Sequence, residues 1–203
     1  MKFSVLVIIS VTRKELLLRV ALPSVLMQTK LPDNVYLVSD TEDDILVSEA
    51  KELSSGRVPM KFLLNQREKN VSGAMNTALS EILADGYDPH TTFVATLDDD
   101  DWWEKDYLEA CYNTAIPDMD WVVSGIIRHE SVSGEVKYLS IPDNLTEKAF
   151  LRGNPHVQGS NLFIRLSRIL EAGGYDENLP STTDRDICIR LLALGYVNFS
   201  PIR

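Results

Sequence analysis

Residues 3–9, FSVLVII, form an unbroken apolar run rich in β-branched side chains. The run is too short to cross a membrane, and it has no polar alternation to offer a solvated face. It reads as a strand covered on both sides, the arrangement of a parallel sheet clad by helices. The pattern that follows agrees. Lys14 to Met27 places Leu16, Leu17, Val20, Ala21 and Val25 at helical spacing, with Pro23 expected to kink or break the helix. Pro32-Asp33-Asn34 is turn chemistry, Val35 to Val38 a second strand, 41–55 a second helical pattern and Met60 to Leu64 a third strand. A helix over 71–84 and a strand from Thr92 to Leu97 follow.

Strands alternating with helices at crossover lengths predict an α/β fold, a Rossmann-like and mostly parallel central sheet flanked by helices. In such sheets ligands bind beyond the carboxyl ends of the strands. Asp40, Asn65 and Asp98 to Asp101 all stand at predicted strand ends, so they should converge on one edge. After residue 117 the pattern becomes less regular. Trp121 to His129 and Glu135 to Ser140 read as a hairpin about Ser133-Gly134, and Asn161 to Arg165 as a strand leading into a helix that stops at Gly173-Gly174. A last helix is expected over 182–194. The reading is one domain over 1–203, with a nucleotide-binding half of about 1–116 and a smaller, irregular half of about 117–203.

Composition narrows the function. With 20 Lys+Arg against 30 Asp+Glu the formal net charge is −10, which argues against general nucleic-acid binding, a task for basic surfaces. Two cysteines, Cys111 and Cys188, make no disulfide framework or zinc pattern, and both read as half-buried helix residues. Val5 to Ile9 is too short for a signal-peptide core, and no stretch reaches the roughly 18–20 apolar residues of a membrane helix. The expectation is a soluble cytoplasmic protein, one that could also work at the inner face of the membrane.

Four consecutive aspartates, Asp98 to Asp101, directly after a buried strand repel one another unless a cation or raised pKa values relieve them. Mg²⁺ or Mn²⁺ is the natural partner. Such an ion takes one or two carboxylates and completes its shell with water and substrate phosphates. A solvated acidic loop capping the helix expected from Trp103 or Glu104 is the simpler alternative for Asp101. A calcium loop matching Asp98, Asp100 and Glu109 fails, because Trp102 and Trp103 stand where a ligand and a turn glycine belong.

Five segments in register, SVLMQT at 24–29, NVSGAMNTAL at 70–79, LDDDDWW at 97–103, GGYDENL at 173–179 and the closing LALGY, resemble family 2 glycosyltransferases of GT-A fold. The resemblance runs from about Phe3 to Phe199. It implies transfer of a sugar from a nucleotide-sugar donor, most often a UDP-sugar, to the hydroxyl of an acceptor glycan or similar compound, usually with inversion and commonly in polysaccharide biosynthesis. By this resemblance Asp98 and Asp99 approach the nucleoside, Asp100 binds the metal (Mn²⁺ or Mg²⁺), and Asp40 contacts the base. The first strand end departs from the family pattern and reads Ser10-Val11-Thr12-Arg13, where Thr12 can still supply a hydroxyl. Arg67 lies where the family places groups near the nucleotide, as does Lys69, which reads better as a solvated charge. Asn76 suits loop structure and ligand contact equally.

Inverting transfer needs a carboxylate to take the acceptor's proton. The matching stretch is STTDRDICIRLLALG, and Asp184 is assigned as that base, with Thr183 where the family often has Glu. Asp186, about 200° around a helix from Asp184, is the alternative base and otherwise a substrate-side residue or the ion-pair partner of Arg185 or Arg190. Of Trp102 and Trp103, one would stack on a sugar ring and the other support the loop, the first role going to Trp103. His156 could line the acceptor side, and His90 and His129 belong to no constellation. Two other functions remain open. One is a nucleotidyltransferase, although SVTRKELL lacks the glycine-rich triphosphate loop of that class. The other is a non-catalytic nucleotide-sugar-binding module. The Q-x-x-R-W of processive synthases is absent, which points to addition of single sugars or to a catalytic domain of a longer protein.

Overall fold

The computed structural model describes residues 3–115, 119–130, 132–196 and, as backbone, 199–202. Seven strands form one sheet in the order β3-β2-β1-β4-β8-β5-β9. They are β1 (Ser4–Val11), β2 (Asn34–Ser39), β3 (Met60–Leu64), β4 (Thr92–Asp98), β5 (Trp121–Ser124), β8 (Leu162–Arg165) and β9 (Phe199–Ile202). β1 to β4 pair in parallel, while β8 is antiparallel to both its neighbours, β4 and β5. The remaining pair, β6 (Ile126–His129) and β7 (Val136–Leu139), forms a separate antiparallel ribbon.

The opening apolar run is covered on both faces, as its composition requires. Val5, Val7, Ile9 and Val11 enter one core layer, and Leu6 and Ile8 enter the other. Each such side chain contributes roughly 1.5–3 kcal/mol by leaving water. After α1 (Lys14–Leu16), which buries no residue, the first layer is closed by a π-helical turn Leu17–Ala21, α2 (Leu22–Leu26), α3 (Asp44–Ser54) and α5 (Tyr107–Thr114). The second is closed by α4 (Val71–Ala84), α6 (Glu147–Arg152), α7 (Leu166–Glu171) and α8 (Thr183–Ala193).

Pro23 leaves the first helix without one backbone donor, and the π-helical turn just before it takes up the fault. Helix α4 matches its expected span because Asn70 caps it, accepting from the Gly73 N–H at 2.9 Å. Helix α7 ends where Gly173 and Gly174, both at positive φ, return N–H bonds to Leu170 and Ile169.

Three expectations change. The strand foreseen over Trp121 to His129 divides at Gly125, so that β5 joins the main sheet and β6 leaves it. The helix foreseen from Trp103 or Glu104 begins at Tyr107, because the Trp103 N–H bonds to Ser24 Oγ at 3.2 Å and its ring enters the core. Cys111 and Cys188 are fully rather than half buried.

Gly73 stands where a Cβ would lie 2.0 Å from the Glu68 carbonyl oxygen. The Gly73→Ala variant is therefore expected to lose about 3 kcal/mol, the upper end of overpacking penalties. A urea-denaturation midpoint equal to that of the parent would contradict this.

Candidate active site

The register of β1 to β4 brings the strand ends level. Ser10 pairs with Asp98, Val11 with Ser39, and Ser39 with Leu64. The residues that follow, Thr12, Asp40, Asn65 and Asp99, therefore leave the same edge of the sheet. Asn65 Nδ2 donates to Asp40 Oδ1 and to the Glu68 carbonyl, each at 2.7 Å. Lys69 Nζ donates to the carbonyls of Asn65 and Asp40. Asp40 stays half-buried at the mouth of this edge.

The four aspartates have separate environments. Asp99 is buried, 1% exposed, and its carboxylate is saturated. Its Oδ2 accepts from the Thr12 N–H at 2.6 Å, the Thr12 hydroxyl at 2.9 Å and the Arg13 N–H at 2.5 Å, while Oδ1 accepts from Arg13 Nε at 2.8 Å. Asp99 thus anchors the β1–α1 loop, and no lone pair is left for the nucleoside contact foreseen for it. The Thr12 hydroxyl is engaged in the same anchor. Asp100, more exposed, receives the NH1 end of the same guanidinium. Asp101 Oδ2 accepts from Ser160 Oγ at 2.6 Å, and Ser160 Oγ in turn accepts the Asp98 N–H at 3.0 Å.

Asp98 carries the strain of the cluster. Burial, then repulsion from Asp101, Asp100, Asp184 and Asp99, pushes its carboxyl up to about 6. The repulsion from Asp184 matters, because this residue enters from the other half of the chain on the first turn of α8. Burial also raises Asp184, an effect partly offset by the Arg185 N–H that donates to its Oδ1 at 2.8 Å. Asp98 therefore feels the charge of a partly buried carboxylate more than eighty residues away in sequence.

Other expected residues are engaged elsewhere. Asp186 forms an ion pair with Arg190 at 2.6 Å, and Arg190 also donates to the Gly174 carbonyl at 2.8 Å. Arg67 pairs with Glu177 at 3.2 Å and donates to Ser80. Asn76 takes up loop structure, bonding to both the N–H and the carbonyl of Tyr175 and to Glu177. Trp103 is 6% exposed, with Nε1 donating to the Ser160 carbonyl at 2.6 Å and the ring stacked on Tyr107. Trp102 is the ring that remains open, at 47% exposed and 5.1 Å from His129. His156 lies on the loop before β8 at positive φ. Sequence reasoning missed Arg13 and Ser160. Arg13 had a signal, a lone cation at a strand end beside the acidic run; Ser160 had none.

A cavity of about 530 Å³ opens from Asp101 and Ser160 away from Asp40. Trp102, Ile126, Tyr138 and Ile141 supply apolar walls, and Glu104, Asp106 and Asp143 add acidic groups. The edge with Asp40 and Thr12 lies on the opposite side of the acidic run. In the strand order, the run at the end of β4 thus stands between the ends of β1 and β2 and the chamber built on the β8 and β5 side.

The fold matches solved structures of GT-A glycosyltransferases. S. aureus TarS 1-349 superposes with a TM-score of 0.71 at 17% identity, over 98% of this chain and 58% of that one. The mannosyltransferase PcManGT from Pyrobaculum calidifontis gives 0.70 at 18%, over 100% and 55%. A 4-diphosphocytidyl-2C-methyl-D-erythritol synthase gives 0.62 at 10%, over 100% and 89%. The chain thus spans little more than half the length of the first two. No curated protein matches it in sequence. Residues 6–174 match Glycosyl transferase family 2, and the chain belongs to that family.

The raised Asp98 carboxyl has a stability consequence. Between about pH 4 and 6 the folded chain holds a proton that the unfolded chain releases, so stability falls as pH rises through that window. Asp98→Asn should abolish this slope and raise ligand-free stability at pH 7 by ~2–3 kcal/mol. Melting curves from pH 4 to 8 decide it, and parallel profiles for the two proteins would refute the assignment.

Proposed function

We propose that the chain transfers a sugar from a nucleoside-diphosphate donor to an acceptor hydroxyl, with inversion and with the help of a divalent cation. The observation that carries this reading is that Asp184, from the other half of the chain, lies near enough to buried Asp98 for its charge to raise that carboxyl, while Ser160, bonded to the Asp98 N–H, lines the walled chamber. The strand-end edge suits the donor. Asp40, oriented by Asn65, would accept from the base. TarS has been crystallised with UDP-GlcNAc and PcManGT with GDP-Man and Mn²⁺, which supports a nucleotide-sugar donor here without choosing its base.

The donor set fits a hard cation. Asp98 and Asp100 offer carboxylate oxygens, and among the described residues no group of three or more His, Cys, Asp or Glu is placed to hold an ion by protein ligands alone. Carboxylate oxygens are the hard donors that Mg²⁺ or Mn²⁺ would take, with phosphate and water completing the shell. Bound there, such an ion would neutralise charge on the leaving diphosphate. Asp184, its basicity raised by burial, would take the acceptor's hydroxyl proton as the acceptor oxygen bonds to the anomeric carbon and the diphosphate leaves. Trp102, rather than Trp103, would present a ring to the acceptor. The chamber's acidic lining, with no Lys or Arg among its described lining residues, favours uncharged acceptors over anionic ones.

The fold is shared with a nucleotide-handling synthase, so fold alone does not separate sugar transfer from nucleotidyl transfer. The β1–α1 loop favours sugar transfer: its one cation is tied to Asp99 and Asp100, and it has no glycine to wrap a triphosphate. We also assign the chain a place in glycan or polysaccharide synthesis, on the family's usual role. Among the described residues no helix is long and apolar enough to cross a membrane.

Thermal-shift screening of nucleotide sugars with and without Mn²⁺ tests the donor, since a specific ligand stabilises by mass action. Asp100→Ala should lose the Mn²⁺-dependent shift together with transfer. Asp184→Asn should keep the shift while kcat falls by about 10²–10⁴; unchanged turnover would remove it as base. Trp102→Ala should raise the acceptor KM with little change in donor binding, and an unaltered acceptor KM would take Trp102 out of the site.

A further inference from the structure

Arg13 is the only cation in an ion pair with the acidic run among the described residues. Its attachment is unequal. The backbone N–H, Nε and NH2 hold buried Asp99, whereas NH1 reaches out to Asp100 Oδ2, on a carboxylate 38% exposed. The guanidinium is itself half exposed. The backbone is fixed on Asp99, and the guanidinium covers the Asp100 oxygen that a divalent cation would need. A guanidinium fork fits phosphate oxygens as well as carboxylate oxygens.

We propose that Arg13 is a resident counter-cation whose guanidinium holds Asp100 until a diphosphate draws it away, so that cation and donor bind together rather than independently. This rests on the reading above and goes beyond it. Without donor, a divalent ion must compete with a tethered guanidinium for Asp100, and its affinity is low. With donor, the diphosphate offers the guanidinium a more highly charged partner and offers the ion further oxygen ligands. The planar guanidinium turns as one unit about its side-chain torsions, leaving Asp100 and Asp99 Oδ1 together, while the Thr12 and Arg13 N–H groups remain on Asp99 Oδ2. The two ligands are then positively coupled, and linkage makes the coupling reciprocal. The device keeps four neighbouring carboxylates tolerable in the ligand-free protein and discourages unproductive metal loading.

Mn²⁺ titrations followed by electron paramagnetic resonance test this on the full chain, with UDP or GDP present or absent and the nucleotide–Mn²⁺ complex in solution measured separately. Wild-type protein should bind Mn²⁺ at least tenfold more tightly with the preferred nucleotide than alone. Arg13→Gln should bind Mn²⁺ alone about tenfold more tightly than wild type, and its gain from nucleotide should shrink below threefold. Far-UV circular dichroism checks that the variant folds. If loss of the Asp99 anchor unfolds it, Arg13→Lys, which keeps a charge near Asp99 but cannot bridge to Asp100, should show the same direction of change. An unchanged or weaker Mn²⁺ affinity in a folded variant, with wild-type coupling intact, overturns the role of Arg13 and leaves the sugar-transfer reading standing. No Mn²⁺ uptake by wild type with either nucleotide overturns both.

Discussion

Mutual repulsion among the carboxylates after β4 is the constraint around which the rest is arranged. The chain meets it by division of labour. One carboxylate, Asp99, is buried and saturated by two backbone N–H groups, a hydroxyl and a guanidinium. A buried charge is tolerable only when so fully bonded. With Asp99 fixed, the loop holds its neighbours in unfavourable positions. Asp98 bears the greatest burden, since it is largely buried and faces like charges on several sides. Such local instability is the usual mark of a site built for a ligand rather than for the fold.

The second half of the chain completes what the first begins. The 3₁₀ turn Gly159–Asn161 lies against the end of β4: Thr96 Oγ1 donates to the Gly159 carbonyl at 2.6 Å, and Ser160 links the Asp98 backbone to the Asp101 side chain. Helix α8, packed through Ile187, Cys188, Leu191 and Leu192, delivers Asp184 to the same place. Asn76 fastens the loop between α7 and α8 to the parallel half through Tyr175 and Glu177, and Arg190 ties the same loop to α8. Positioning of the acidic pair thus depends on contacts spread over both halves, with the antiparallel strand β8 as the seam between them.

Much of this was legible from local pattern. The runs at 3–9, 35–38, 60–64 and 92–97 lie within β1, β2, β3 and β4 or reach one residue beyond them, because buried parallel strands leave a continuous apolar signature. Helix α4 could be bounded to the residue, since its cap and its apolar face agree. The irregular half was harder. Gly125 carries no signal that one strand ends and a ribbon begins, because both segments are β-branched and the division is set by which partner each finds. The two tryptophans show the same limit: adjacent, identical side chains went opposite ways, one held by Ser24 and Ser160 and the other left open beside His129.

The family came from the resemblance of five motifs in register; the chain's order of apolar and polar segments was sufficient for the α/β architecture and for the alignment of Asp40, Asn65 and the acidic run at one edge. These follow from periodicity and strand ends, which are local properties. Which aspartate is an anchor and which is exposed, whether Asp184 or Asp186 faces Asp98, and where Arg13 and Arg67 direct their charge emerged only from the folded chain. Those outcomes depend on partners far away in sequence. A carboxylate's role is set by what surrounds it, and for Asp99, Asp100 and Asp186 the nearest arginine decides it.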